Sequence, residues 1–245
     1  MTWQPAHQPG PLGDRDVHVW RLALVQPDAV LPRLRDTLSP DERARADRFY
    51  FERDRRSFTV VRGVLRSLLG GYLGHAPGAL GFGYRAKGKP YLASPPTELD
   101  FNVSHSGDYA LLGFTRGRAL GVDVERRRDD FDDLTSLAEA SFSPGELAVF
   151  RSLPPAQHVE AFFTCWSRKE AFIKATGEGV SQLADFDVSL RPGEPARILA
   201  VRGIAERYAI YELPALDGHA AALVLADPPD APQITCYAWA WAQDR

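Results

Sequence analysis

The sequence predicts an α+β fold of two similar α/β subdomains, 1–118 and 119–245, in a pseudo-twofold arrangement. Each is expected to be a small antiparallel sheet packed with helices. Three observations point there. Strand patterns and helix patterns occur in both halves. The run Asp217-Gly218-His219-Ala220-Ala221-Ala222-Leu223-Val224-Leu225 faintly echoes Ser106-Gly107-Asp108-Tyr109-Ala110-Leu111-Leu112-Gly113-Phe114. The helix-start signature Ser39-Pro40-Asp41-Glu42 returns as Ser143-Pro144-Gly145-Glu146.

Composition bounds the class. With 245 residues, 44% hydrophobic and 25% charged, the chain can build a globular core. A net charge of −3 gives no basic field for nucleic acid. Cys165 and Cys236 lack a CxxC or CxxH partner, which fits buried thiols in a reducing compartment. Met1–Gly13 is rich in Pro and Gly without an apolar h-region, so it reads as a loose leader rather than a signal peptide. Apolar runs such as Ala220–Ala226 are too short to span a bilayer. The expectation is a soluble cytoplasmic protein with no membrane partner.

Val17–Val25 alternates at its start and reads as an opening strand, with His18 a packing or surface residue. Ser39 can cap the next element, Pro40 suits its first turn and Glu42 completes a capping box, so a helix runs to about Phe51. A second helix follows from Arg56 to Leu69 and ends near Gly70-Gly71. The two carry Arg43, Arg45, Arg48, Arg53, Arg55, Arg56, Arg62 and Arg66 against Asp47, Glu52 and Asp54. Such a face is either solvated with internal ion pairs or an anion site, for which the guanidinium fork suits phosphate.

Tyr84–Leu92 reads as a loop. Gly88 lets backbone approach a ligand, Pro90 sets an extended exit, and Lys87 and Lys89 flank the glycine, although solvent-facing turn lysines are the commoner case. Phe101 and Val103 alternate with Asn102 and Ser104, a strand that ends at His105-Ser106-Gly107. Hydroxyl and backbone donors there suit a phosphate.

Tyr109–Thr115 is an apolar strand and Arg116-Gly117-Arg118 a turn. The strand Gly121–Glu125 follows. Its period of two puts Val122 and Val124 on one face, Asp123 and Glu125 on the other. Adjacent carboxylates repel, and Mg²⁺, a hard cation that takes oxygen ligands, relieves that repulsion. By itself an Asp-x-Glu is more often a solvated strand face. The hairpin, however, places His105 in a neighbouring strand.

Arg126–Asp133 is a charged surface connection, and Ser143 starts a helix to about Arg151. Pro155–Thr176 reads as a long helix stopped by Gly177, with Trp166, Glu170 and Lys174 four apart on one stripe. A tryptophan there argues that the stripe is covered, and a covered carboxylate needs a cationic partner. Phe186–Leu190, Ala196–Val201, Tyr208–Leu213, His219–Leu225 and Ile234–Trp241 read as strands of a second sheet. A site between the halves follows.

Phe101–Gly107, Gly121–Glu125 and Trp166–Lys174, in this order and spacing, resemble the three signatures of the surfactin-type 4′-phosphopantetheinyl transferases. Gly88-Lys89-Pro90-Tyr91 and the helix Ser39–Phe51 also match, so the resemblance covers about Ser39–Val188. It implies transfer of the 4′-phosphopantetheine arm of coenzyme A to a serine hydroxyl of an apo acyl- or peptidyl-carrier protein, with release of 3′,5′-ADP. The carriers would belong to nonribosomal peptide, polyketide, fatty-acid or siderophore synthases, and the enzyme would be a monomer with a pseudo-dimeric fold.

The resemblance also implies roles. Asp123, Glu125 and Glu170 would hold Mg²⁺. Arg45, Arg62, Lys87, Gly88, Lys89, Pro90, Ser104, His105, Asp123 and Lys174 would bind coenzyme A. Glu170, Lys174 and His105 would serve catalysis, with Glu170 or a water on the metal as base. One departure stands out: Glu42 falls where some members carry a second lysine, so Arg56 or Arg62 would help hold the 3′-phosphate. A nucleotide pyrophosphohydrolase would use the same acids, but no hydrolase-type repeat-Glu helix motif is present. The non-catalytic alternative is a coenzyme A- or carrier-protein-binding module.

Overall fold

A computed structural model describes residues 1–130, 133–177, 183, 186–201 and 207–241. The first part of the chain runs β1 (Gln4–Ala6), β2 (Asp16–Ala23), α1 (Val30–Asp36), α2 (Pro40–Asp47), α3 (Glu52–Leu73), β3 (Gly81–Tyr84), β4 (Pro90–Ser94), β5 (Leu99–Ser106) and β6 (Tyr109–Arg116). The second runs β7 (Leu120–Arg126), α4 (Leu134–Ser141), α5 (Pro144–Ser152), α6 (His158–Thr176), β8 (Phe186–Val188), β9 (Ile198–Val201), β10 (Tyr208–Glu212), β11 (His219–Ala226) and β12 (Gln233–Trp239).

Two sheets pack face to face between two long helices. One has the order β1-β12-β2-β6-β5, the other β10-β11-β7. Strand parity sets the layers. Trp20, Leu22, Leu112 and Phe114 meet Val60, Val64, Leu65 and Leu68 of α3. Val17, Val19 and Leu111, of the opposite parity, meet Val122, Val124, Leu223 and Leu225 between the sheets. Ala222 and Val224 then face Phe172 of α6. Burying each large aliphatic side chain is worth roughly 1.5–3 kcal/mol, so a one-residue slip in any of these strands is excluded.

The expected internal repeat is present in the element order. Among the described residues each unit is a strand, three α-helices, a hairpin and two strands, and β2-β6-β5 corresponds to β7-β11-β10. The repeated Ser-Pro-x-Glu start is part of it. Glu42 accepts from the Ser39 N–H and is buried against Arg62 and Arg66 of α3. Glu146 accepts from the Ser143 N–H and is buried against Lys169 of α6, at 2.6 Å. The ladders also align the two units residue by residue. Trp20 faces Leu112 and Leu22 faces Ala110, where Asp123 faces Ala222 and Glu125 faces Ala220. The positions that carry acids in the second unit are filled by a tryptophan and a leucine in the first.

Several expectations change. The last strand belongs to the first sheet, where β12 pairs in parallel with β2. It is apolar on both faces, with Cys236 between the sheets and Trp239 against the α3 core, which suits an interior strand. The leader is tied down: β1 pairs with β12, and Trp3 donates its indole N–H to Pro214. β8 and β9 form a separate hairpin rather than joining the second sheet. Tyr84–Leu92 is the tip and flanks of the β3–β4 hairpin. α3 starts at Glu52 and passes through Gly70-Gly71 to Gly74, whose φ of +67° ends it. The glycine pair is there for space: a Cβ on Gly70 would lie 2.6 Å from the His75 carbonyl oxygen, and one on Gly71 2.7 Å from the Pro9 ring.

Candidate active site

The site forms where β5 and β7, edge strands of the two sheets, run side by side. No backbone ladder joins them; side chains of β5 reach the backbone of β7 instead. Asn102 Oδ1 accepts from the Val122 N–H at 2.9 Å, Ser104 Oγ from Val124 at 3.3 Å and Ser106 Oγ from Arg126 at 3.1 Å. The constant offset of 20 residues means that the strands point the same way. The two hydroxyls pass the contact on to the acids. Ser104 donates to Asp123 Oδ1 and Ser106 to Glu125 Oε2, both at 2.8 Å.

α6 covers this strand because Gly121 has no side chain. A Cβ there would stand 1.9 Å from the Ala171 carbonyl oxygen and 2.6 Å from the Ala175 nitrogen. With backbone on backbone, Lys174 Nζ reaches Asp123 Oδ1 at 2.6 Å and Ser104 Oγ at 2.9 Å. Burial, then the Asp123 charge, raises the Glu125 carboxyl above its ordinary range, while hydrogen bonds from Ser106 and Trp166 and the Lys174 charge oppose the rise. Glu170 is raised by burial and then Asp123, with Glu125 adding to the rise and Lys174 opposing it. The expected stripe of Trp166, Glu170 and Lys174 therefore does face the two strand acids.

The donor set suits a hard cation. Asp123 is 1% exposed, and its Oδ2 has no hydrogen-bond partner among the described residues. A buried carboxylate oxygen left bare is costly, and a divalent cation among Asp123, Glu125 and Glu170 would satisfy it. Among the described residues, however, no three His, Cys, Asp or Glu side chains are gathered into a ready metal cage. The Lys174 ammonium supplies the positive charge at Asp123 instead.

A cavity of about 980 Å³ opens on the other face of β5, lined by Arg45, Arg62, Gly88, Pro90 and His105 among others. His105 shares its strand parity with Phe101 and Val103, not with Ser104. Partial burial of its ring, then the Lys174 charge, holds its pKa below the usual histidine range. Arg45 is exposed over the Phe58 ring. Arg62 is a wall of the cavity, but its guanidinium is given to Glu42 and stacks 3.7 Å over Phe82. Arg56 pairs with Asp28 at 2.7 Å. Lys87 sits exposed at the hairpin tip. Lys89 turns inward, donating to the carbonyls of Lys174 and Leu120.

Gly121 and Asn102 are the functional positions that the sequence reading leaves without a task, and Ser106, read there as a phosphate donor, gives its hydroxyl to Glu125 instead. The alternation of Asn102, Ser104 and Ser106 is visible in the sequence, but the strand it serves lies 20 residues away.

Comparison with known proteins gives a consistent picture. Residues 119–224 match the family described as the 4′-phosphopantetheinyl transferase superfamily, and residues 28–115 match one described as 4′-phosphopantetheinyl transferase, N-terminal. The chain is 44% identical over 227 residues to the 4′-phosphopantetheinyl transferase HetI of Nostoc sp., covering 92% of this chain and 94% of that one. It is 31% identical over 160 residues to a 4′-phosphopantetheinyl transferase of Bacillus subtilis, covering 65% of this chain and 69% of that one. It is 30% identical over 165 residues to the human L-aminoadipate-semialdehyde dehydrogenase-phosphopantetheinyl transferase, covering 62% and 53% respectively. Matches to named transferases do not favour the non-catalytic alternative.

Proposed function

The chain belongs to the 4′-phosphopantetheinyl transferase superfamily, and from that premise we propose a full reaction for it. It is an enzyme that transfers phosphopantetheine to carrier proteins. In the proposed reaction coenzyme A is the donor, Mg²⁺ is required and 3′,5′-ADP is released. The observation that carries this reading is the convergence of Ser104, Asp123 and Lys174 beside Glu125 and Glu170, with Asp123 Oδ2 bare.

In this reading the cavity takes the nucleotide, with Arg45, His105, Gly88 and Pro90 bordering it. Lys174 moves its ammonium from Asp123 and Ser104 to the phosphate under attack. Asp123, Glu125 and Glu170 would hold Mg²⁺, which would supply positive charge against the pyrophosphate. The carrier serine oxygen forms a bond to the phosphorus next to pantetheine, and the bond from that phosphorus to the bridging oxygen breaks. The bridging oxygen leaves with 3′,5′-ADP, and a carboxylate oxygen of Glu170 would take the serine proton. Ser104 and Ser106 hold the strand acids still while this happens. The enzyme acts in the cytoplasm as a monomer, its two units doing what a dimer would. No described helix is long and apolar enough to cross a membrane.

The test is incubation with coenzyme A, Mg²⁺ and a panel of apo carrier proteins, read by intact mass and by 3′,5′-ADP release. A gain of one phosphopantetheine arm, abolished by EDTA, is expected. Binding of coenzyme A without a mass gain on any carrier overturns the reading.

A further inference from the structure

We propose, resting on the transferase reading above, that Lys89 is a positioning residue that ties the cavity hairpin to the reactive helix, rather than a ligand of coenzyme A. Its Nζ donates to the Lys174 carbonyl at 2.8 Å and to the Leu120 carbonyl at 3.2 Å, and lies 4.0 Å from Asp100 Oδ2. The side chain is 13% exposed, so it extends into the protein and away from solvent.

Both carbonyls matter by position. Leu120 opens the strand that carries Asp123 and Glu125. Lys174 carries the ammonium that touches Asp123, and its carbonyl lies in the last turn of α6, where helical partners run out. A cation there also meets the negative end of the helix dipole. The contact between α6 and β7 at Gly121 has no side chain to lock it against sliding. The Lys89 ammonium bridges that junction directly, one bond to each partner. The neighbours Gly88 and Pro90 line the cavity, so a ligand resting there bears on the same short segment that holds Lys174 in place. Burial lowers the Lys89 pKa, as expected of an ammonium withdrawn from water.

Lys89→Met and Lys89→Arg in the full chain test this. Coenzyme A affinity is read by calorimetry, kcat by mass gain on an apo carrier, and the end of α6 by hydrogen exchange at residues 174–177. Lys89→Met is expected to lower kcat by about ten-fold or more, since sub-ångström misplacement of a reacting group costs this much. Coenzyme A Kd should stay within about three-fold, and exchange at the helix end should quicken. Lys89→Arg should restore most of kcat. A Kd that rises in step with the loss in kcat/KM makes Lys89 a ligand and overturns the proposal. Unchanged exchange and unchanged kcat in Lys89→Met overturn it as well. Failure of the wild-type enzyme to modify any carrier would instead overturn the transferase reading, and the exchange experiment would still judge Lys89.

Discussion

Gly121→Ala should disable the enzyme while leaving it folded. The added Cβ would lie 1.9 Å from the Ala171 carbonyl oxygen, against about 3.4 Å for an ordinary contact, so helix and strand must part by about 1.5 Å. All three atoms nearest to it are backbone, the Ala171 O and C and the Ala175 N, so no rotamer change relieves the clash. Overpacking of this kind costs about 1–3 kcal/mol. In a chain of this length that lowers Tm by about 2–12 °C. The effect on rate is larger. Glu170 precedes and Lys174 follows Ala171 on the same helix, so both move away from Asp123 together. Misplacement by about 1 Å costs about 100-fold in rate. The assay is kcat for carrier modification at saturating coenzyme A, with thermal unfolding followed by circular dichroism. A kcat within about three-fold of wild type, with the fold retained, would refute the argument that Gly121 sets the helix–strand distance.

Three further outcomes are expected. Glu170→Gln should abolish transfer while coenzyme A binding remains measurable; equal losses of binding and rate would assign Glu170 to substrate capture instead. Lys169→Met leaves Glu146 buried without its cation, and should cost about 3–5 kcal/mol in urea unfolding; a loss below about 1 kcal/mol would show that the pair does not anchor α6. His18 is 4% exposed, and burial lowers its pKa against an opposing pull from Asp16. Its folded pKa lies below the unfolded value near 6.5, so its contribution is present above about pH 6.5 and is lost as pH falls through the folded pKa. Unfolding free energy of wild type should drop more steeply between about pH 6.5 and 5 than that of His18→Gln, by at most about 1.4 kcal/mol per pH unit; parallel profiles would show that His18 is not kept neutral in the fold.

The fold class and its repeat could be read from strand parity and the Ser-Pro-x-Glu starts, whereas the echo of Ser106–Phe114 in Asp217–Leu225 is one residue out of step with the ladders, which set Ala220 and Ala222 where Ala110 and Leu112 stand. Misreadings cluster where a local signal had two physical uses. Gly70-Gly71 reads as a helix stop because glycine costs helix stability, yet here it makes room for His75 and Pro9. Ile234–Trp241 reads as a neighbour in the second sheet because sequential strands usually pair, yet its two apolar faces suit an interior place in the first, between β1 and β2. Glu42 reads as a substituted phosphate ligand, yet it is spent on Arg62 and Arg66 inside the core.

The sequence by itself determined which side chains share a face. Asp123 with Glu125, Trp166 with Glu170 and Lys174, and Asn102 with Ser104 and Ser106 all follow from the periods of strand and helix. It also determined the reaction class, because chemistry-bearing residues in that order are recognisable without coordinates. Only the tertiary structure decided how close these faces come, and which way the lysines turn. Lys174 meets Asp123 because two backbones touch at Gly121, and Lys89 points inward because two carbonyls 54 residues apart in sequence, those of Leu120 and Lys174, lie together at one helix end. Local periodicity is a property of the backbone and is written in every few residues. Contact distance depends on packing between segments remote in the chain, where the absence of one methyl group sets the geometry of the site.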